Sequence, residues 1–284
     1  MLWNKARPSD NVKDTREDTA TRFTPGKKLG VMLGTATVMG IGTLTSLTPF
    51  FESPRSTNPS PISVISTPVE DPELAFVRAV LGDTEDTWKQ IFQPLNRPYP
   101  EPTLTLFDHG VVSACGFASS ASGPFYCPEN QQVYLDLTFF REMSQRFSVV
   151  GDFAQAYVIA HEVGHHVQTQ LGLSRPFEDA LSAGQTVAGE DGLEVRSELQ
   201  ADCLAGVWAY HAQQRLNWLE PGDLEEALQA AAVFGDDYRQ GNQTASVMPE
   251  TFTHGTSAQR AHWFKTGFND GRFEQCDTFV AEHL

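Results

Sequence analysis

Residues 160–166, Ala160-His161-Glu162-Val163-Gly164-His165-His166, set an H-E-x-x-H pattern inside a run that reads as one helix, and no other part of the chain constrains its fold as strongly. The run opens at Asp152, a capping residue type, is filled with good helix formers, and closes at Gly172, the residue type that ends helices. Apolar residues lie on most of its sides, so the helix is expected to be buried and central. On it His161 and His165 stand one turn apart on one face. Two imidazoles so placed bind one Zn²⁺, and Glu162, one position along, reaches a water at the metal as general base. Were these ordinary core histidines, a glutamate and three histidines would sit without partners among apolar residues, at high desolvation cost. Gly164 costs about 1 kcal/mol in a helix interior, which points to a close approach by another backbone or by a substrate.

Catalytic zinc takes three protein ligands and leaves a fourth position to water. A second helical stretch, Leu193 to Leu216, carries Glu198-x-x-x-Asp202, two carboxylates on one face. Glu198 is the expected third ligand, completing a set of His161, His165 and Glu198 for one zinc per chain. Asp202 is expected to orient a ligating imidazole through its other ring nitrogen. A solvated acidic face is the alternative, and Glu190, Asp191 and Glu194 suit it better than two acids beside Leu199, Ala201, Cys203 and Leu204. Cys203 competes as a ligand, but as the neighbour of Asp202 it points to another face of the helix.

Ahead of these helices the chain changes character repeatedly. Residues 1–28 are polar and hold seven Lys and Arg, residues 29–51 are a run of 23 uncharged residues, and residues 52–72 are rich in Pro, Ser and Thr. Residues 73–284 suffice for one sizeable core. The uncharged run is long enough to cross a bilayer, with Lys27 and Lys28 before it and only Arg55 close behind. The expected organisation is a cytoplasmic tail (1–28), a signal-anchor transmembrane helix (29–51), a linker (52–72) and a zinc-binding domain (73–284). That domain would face the periplasmic or extracellular side of the cell membrane; a soluble Thr- and Gly-rich tail is the alternative. Cys115, Cys127, Cys203 and Cys276 all fall in the outer domain, an even count that suits an oxidising compartment. Cys115 and Cys127 flank a loop that a local disulfide could close, leaving Cys203 for Cys276, although sequence alone permits three pairings. From Glu73 onward 12 Lys and Arg stand against 29 Asp and Glu, which argues against nucleic acid as a partner and for a solvated acidic surface.

Further segments recur together in one order: Ser113-Ala114-Cys115-Gly116-Phe117-Ala118, Gly123-Pro124-Phe125-Tyr126-Cys127-Pro128, Val133-Tyr134-Leu135-Asp136-Leu137, Glu198 to Cys203, Glu220-Pro221-Gly222-Asp223, Phe252-Thr253-His254-Gly255 and Ser257-Ala258-Gln259-Arg260. With these and the His161 helix, the chain resembles, from about Leu74 to Phe279, the bacterial neutral zinc metallopeptidases of the YpfJ type, related in motif to the gluzincin metalloproteases. The resemblance implies a mainly helical α+β, zincin-like domain with a small mixed β-sheet. Patterning places helices at Leu74–Leu95, Arg141–Arg146, Phe153–Leu171, Leu193–Leu216, Asp223–Tyr238 and Ser257–Thr266, and strands at Thr103–Phe107, Ser113–Ala118 and Gln132–Asp136. The strand at Val133–Leu137 is expected to bind an extended substrate by β-addition.

The function expected is a membrane-anchored zinc metalloendopeptidase acting on peptide or protein, with Glu162 passing a proton from water to the leaving amine. His254, in a Gly-flanked segment, is the candidate hydrogen-bond donor to the oxyanion, and packing of the C-terminal helix through Arg260 and Trp263 is its competing role. Tyr157, one turn before His161, is expected chiefly as a packed core residue. Two rivals are a zinc-bound, catalytically weak envelope scaffold and a zinc amidase of non-peptide substrates. The presence of Glu162 disfavours the scaffold, because metal binding alone needs only the ligands.

Overall fold

The computed structural model describes residues 1–16, 71–243 and 246–284. Helix α1 (Pro72–Phe92) starts where the chain supplies two start signals: the Asp71 side chain accepts from the Glu73 N–H, and Pro72 fills a first-turn position where no donor is needed. The last two residues assigned to the linker therefore begin this helix. A four-stranded sheet follows, in the order β1 (Val12–Asp14), β2 (Thr103–Leu106), β6 (Gln132–Leu135), β5 (Phe125–Cys127). The first three run parallel and β5 runs antiparallel to β6. Between β2 and β5 lies a separate hairpin, β3 (Gly110–Ser113) with β4 (Gly116–Ser119). The rest is helical: α2 (Thr138–Phe147), α3 (Asp152–Leu171), α4 (Arg175–Ser182), α5 (Leu193–Leu216), α6 (Asp223–Val233), α7 (Asp236–Gln243) and α8 (Ser257–Asp270). This is the mainly helical α+β architecture with a small mixed sheet that was expected.

Helix α5 is the hub, because missing side chains let its neighbours approach to backbone distance. A Cβ on Gly206 of α5 would sit 2.1 Å from the Phe264 carbonyl oxygen of α8, and one on Gly267 of α8 would sit 1.9 Å from the Cys203 carbonyl oxygen of α5. A disulfide from Cys203 to Cys276 fastens the chain beyond α8 to the same helix. The core around α1, α3 and α5 is filled by Trp88, Phe153, Trp208, Trp218 and Phe264, all buried.

Several expectations need correction. Residues 1–16 are not a free tail. Strand β1 pairs with β2, with Val12 opposite Leu104, and Arg7 lies so close to α1 that a Cβ on Gly82 would meet its carbonyl oxygen at 2.1 Å. The Met1 amino group sits 2.6 Å from Asp152 and 3.3 Å from both Asp223 and Glu220. The expected span, 29–51, lies outside the described residues, and among the described residues no helix is long and apolar enough to cross a membrane. The strand expected at Ser113–Ala118 is interrupted at Ala114 and Cys115 by the tight turn between β3 and β4: Ser113 ends β3, Gly116–Ala118 lie in β4, and Gly116 takes φ +114°. Strand β6 is flanked by β2 and β5, so both its edges are taken and it cannot add a substrate strand; β1 and β5 are the terminal strands, and β5 is the one beside β6. The helix expected over Asp223–Tyr238 breaks at Phe234 and Gly235 into α6 and α7.

Candidate metal centre

Helices α3 and α5 carry the H-E-x-x-H residues and the Glu198/Asp202 pair, and they meet at Gly164. A Cβ there would lie 2.9 Å from the Ala201 carbonyl oxygen and 3.1 Å from its Cα, so the glycine serves the close backbone approach that its cost implied. Gly164 belongs to the turn that joins His161 to His165, and Ala201 to the turn that joins Glu198 to Asp202. The contact therefore sets the distance between the two sets of side chains. His161 Nε2 lies 3.1 Å from Glu198 Oε2 and His165 Nε2 lies 3.3 Å from Glu198 Oε1. One donor atom from each of the three residues falls within 4.8 Å of the others. Ligands about 2.0–2.1 Å from a tetrahedral zinc are roughly 3.3 Å apart, so the spacing fits such an ion.

Each imidazole is held through its other nitrogen. His161 Nδ1 is 2.9 Å from Asp202 Oδ1, and Asp202 in turn accepts from Arg260 Nε at 2.9 Å, Arg260 Nη2 at 3.0 Å and the Tyr157 hydroxyl. His165 Nδ1 is 2.8 Å from Gln168 Oε1, while Gln168 Nε2 donates to the Ser197 carbonyl at 2.7 Å and to Gln200 Oε1 at 3.0 Å. Both partners are oxygens that only accept, so both Nδ1 atoms carry the proton; each Nε2 faces Glu198, donating to that carboxylate when the ring is charged and free to offer its lone pair to a metal when the ring is neutral. The donor set thus suits a divalent cation in chemistry as well as in spacing. Asp202 lies where it was expected, against a histidine ring. Gln168 was missed, since a glutamine near a helix end reads as a surface residue; its i, i+3 offset from His165 was the available signal.

The site is buried and strongly charged. Burial alone would lower the His161 imidazole, but Asp202 and Glu198 outweigh it and hold it up at about 10. Burial would raise Asp202, yet Arg260 and His161 bring it down to about 2. Glu198 is likewise kept well below the usual carboxylate range against its own burial, by His165 and His254. Glu162 differs: burial dominates and raises its carboxyl, only partly opposed by the two histidines. It is 8% exposed, and no hydrogen bond ties it to a neighbour among the described residues. That leaves it the one acid of the cluster not committed to a partner.

These groups open onto a cavity of about 1030 Å³ whose wall includes His161, Glu162, His165, Glu198, His254 and Arg260. His254 therefore does reach the site, from a loop that Asp236 organises. The Asp236 carboxylate accepts the backbone N–H groups of Thr253, His254 and Gly255 at 2.7, 2.6 and 3.1 Å. Asp236 was not singled out in the sequence, because nothing local to it signals a partner 17 to 19 residues away. Burial lowers the His254 imidazole. His166, by contrast, is fully buried between Tyr126 and the Pro100 carbonyl, burial lowers it to about 4, and it takes no part in the donor set. Tyr157 is buried in the core and bonds Asp202, so it braces the site. Cys203 is disulfide-bonded to Cys276 and unavailable as a ligand, and Cys115, in the turn between β3 and β4, pairs with Cys127 at the end of β5.

The chain matches the family described as "Putative neutral zinc metallopeptidase" over residues 1–279. It is similar to the protein YpfJ of Escherichia coli (strain K12), at 42% identity over 98% of this chain and 99% of that one. It is also similar to Mb2605 of Mycobacterium bovis and Rv2575 of Mycobacterium tuberculosis, each at 44% identity over 74% of this chain and 73% of the relative. No solved structure matches. The family match begins at residue 1, in keeping with β1 being part of the sheet, and it extends across every residue of the α3–α5 cluster: this chain belongs to the neutral zinc metallopeptidase family.

Proposed function

We propose that the cavity is the active site of a zinc metalloendopeptidase in which His161, His165 and Glu198 hold one Zn²⁺ and Glu162 acts as general base and then general acid. Zinc held there supplies Lewis acidity, lowering the pKa of water and polarising a carbonyl. The observation that carries the reading is Glu162 itself: an acid buried in the cavity wall, raised by that burial and free of partners, is what proton transfer requires and what metal binding does not. Glu162 takes the proton of the attacking water and delivers it to the departing amine. His254 donates a hydrogen bond to the oxygen of the scissile carbonyl as negative charge grows on it, and Asp236 holds the loop that presents it. Asp202, gripped by Arg260 and Tyr157, keeps His161 in the ligating tautomer, and Gln168 does the same for His165.

The size of the cavity and the open edge of β5, whose Phe125 and Tyr126 line it, support an extended polypeptide as substrate, added to the sheet at that strand. Two disulfides support maturation in an oxidising compartment outside the cytoplasm. The test is mass spectrometry of a peptide library incubated with the zinc-loaded full chain. New termini are expected with the wild type and none with Glu162→Gln, which should still bind zinc at about one per chain. Zinc binding with no new termini from the wild type would leave a scaffold or a non-peptide amidase instead, and equal cleavage by Glu162→Gln would remove the assigned base.

A further inference from the structure

Beyond the metal-binding groups, the cavity wall holds a group of three aromatic rings that the proposed chemistry does not use. Phe139 and Phe147 come from the two ends of α2, and Phe234 from the break between α6 and α7. Phe139 and Phe234 stack with centroids 5.4 Å apart at 24°, and Phe147 meets Phe234 at 6.1 Å and 68°. Each ring packs on the core, yet all three are only partly buried and line the same cavity as His161, Glu162 and His254. A purely structural cluster would turn its apolar faces away from an open cavity; this one leaves them where a bound chain would cover them.

Its position is fixed relative to the site. The Phe234 carbonyl accepts from Arg260 Nη1 at 3.2 Å, and Arg260 is the residue that grips Asp202. Two residues on, Asp236 clamps the loop that presents His254. The aromatic wall and the His254 loop are thus joined at two points, so a side chain resting on the rings stands at one set distance from the bond being cut. The charged rim, where Arg146 faces Glu142 at 3.5 Å, offers both signs and selects neither. A Cβ on Gly123 would reach 3.5 Å from the edge of the Phe139 ring, an ordinary contact that the glycine leaves unfilled.

We infer that Phe139, Phe147 and Phe234 form a subsite for a large apolar side chain, aromatic or long aliphatic, of an extended polypeptide lying on β5. This rests on the peptidase reading for its occupant but concerns recognition, so binding and cleavage test the two separately. Binding is measured with the zinc-loaded full chain carrying Glu162→Gln, by fluorescence anisotropy of labelled hexapeptides that differ at one position. Cleavage is measured with the Glu162-containing chain on the same peptides.

Peptides with Phe, Leu or Met at one position should bind about tenfold or more tighter than those with Ala or Asp there, and cuts should fall at a constant offset from that residue. Phe147→Ala and Phe234→Ala should reduce the discrimination to within about threefold, raising KM more than they lower kcat, with zinc affinity unchanged. Phe147→Trp, which keeps an aromatic core contact, should shift preference toward smaller side chains. Discrimination unaltered in both Phe147→Ala and Phe147→Trp, or none in the parent chain, overturns the subsite. Cleavage without apolar preference sinks the subsite and leaves the peptidase; ring-dependent binding with no cleavage does the reverse.

Discussion

Substituting Gly164 by alanine tests whether the contact between α3 and α5 sets the metal centre. The added Cβ would sit 2.9 Å from the Ala201 carbonyl oxygen, where ordinary contact begins at 3.4 Å, so the helices must part locally by about 0.5 Å. Metal sites tolerate roughly ±0.2 Å in ligand distance, and the displaced turns carry His161 and His165 on one side and Glu198 and Asp202 on the other. Zinc affinity should therefore fall at least tenfold, about 1.4 kcal/mol or more. The fold should suffer less. Overpacking costs about 1–3 kcal/mol, while alanine regains about 1 kcal/mol of helix propensity, leaving a net loss near 0–2 kcal/mol. For a domain of this size that lowers Tm of the metal-free protein by no more than about 8 °C. Competition with a chromophoric chelator gives the affinity, and melts in EDTA give the stability. Because the nearest contacts are backbone atoms, adding Ala201→Gly should rescue little. Wild-type zinc affinity in Gly164→Ala would refute the argument.

Three further outcomes follow from the surroundings of the site. Glu198→Ala should largely empty it, whereas Asp202→Asn should keep the coordination set and lose roughly 10- to 100-fold in zinc affinity, partly recovered with added zinc; undiminished affinity in Glu198→Ala would move the third ligand elsewhere. Gln168→Leu should weaken zinc binding over a similar range, and Gln168→Glu, which keeps an acceptor for His165 Nδ1, should recover part of it, so identical titrations of the two variants would exclude a positioning role. Non-reducing peptide mapping should recover Cys115 joined to Cys127 and Cys203 joined to Cys276, and free thiols at these positions would contradict both the pairing and the oxidising compartment.

What could be read from the sequence was what local chemistry announces. The bounds of α5 and the end of α3 at Gly172 followed from periodicity and capping, and the offset between Glu198 and Asp202 sufficed to assign them different partners. What could not be read depends on distant chain. Strand β1 has three residues and no turn signal, and it exists because β2 lies beside it. The break after α6 had a local signal in Gly235 followed by Asp236, outweighed by the Ala-rich run before it; what fixes it in space is Ser257, whose backbone nitrogen would lie 2.4 Å from a Cβ on Gly235, and the bonds Asp236 makes to the His254 loop. The aromatic wall is likewise assembled from two helices about 90 residues apart, and none of its rings is distinguishable in sequence from a core phenylalanine.

The pairing of Val12 with Leu104 also bears on the order in which the protein is made. At synthesis rates of about 5–20 residues per second, the β1 segment leaves the ribosome roughly 5–20 s before the strand it pairs with. During that interval its backbone donors and acceptors have no native partner, and the edge of β2 is completed only after the emerging chain returns to its own beginning. Until β2 emerges, with α1 made in between, the nascent protein holds an unpaired strand, a stage at which strand-binding chaperones have a target that β2 later covers on one side. A chain shortened to begin at residue 73 would keep the edge of β2 open permanently.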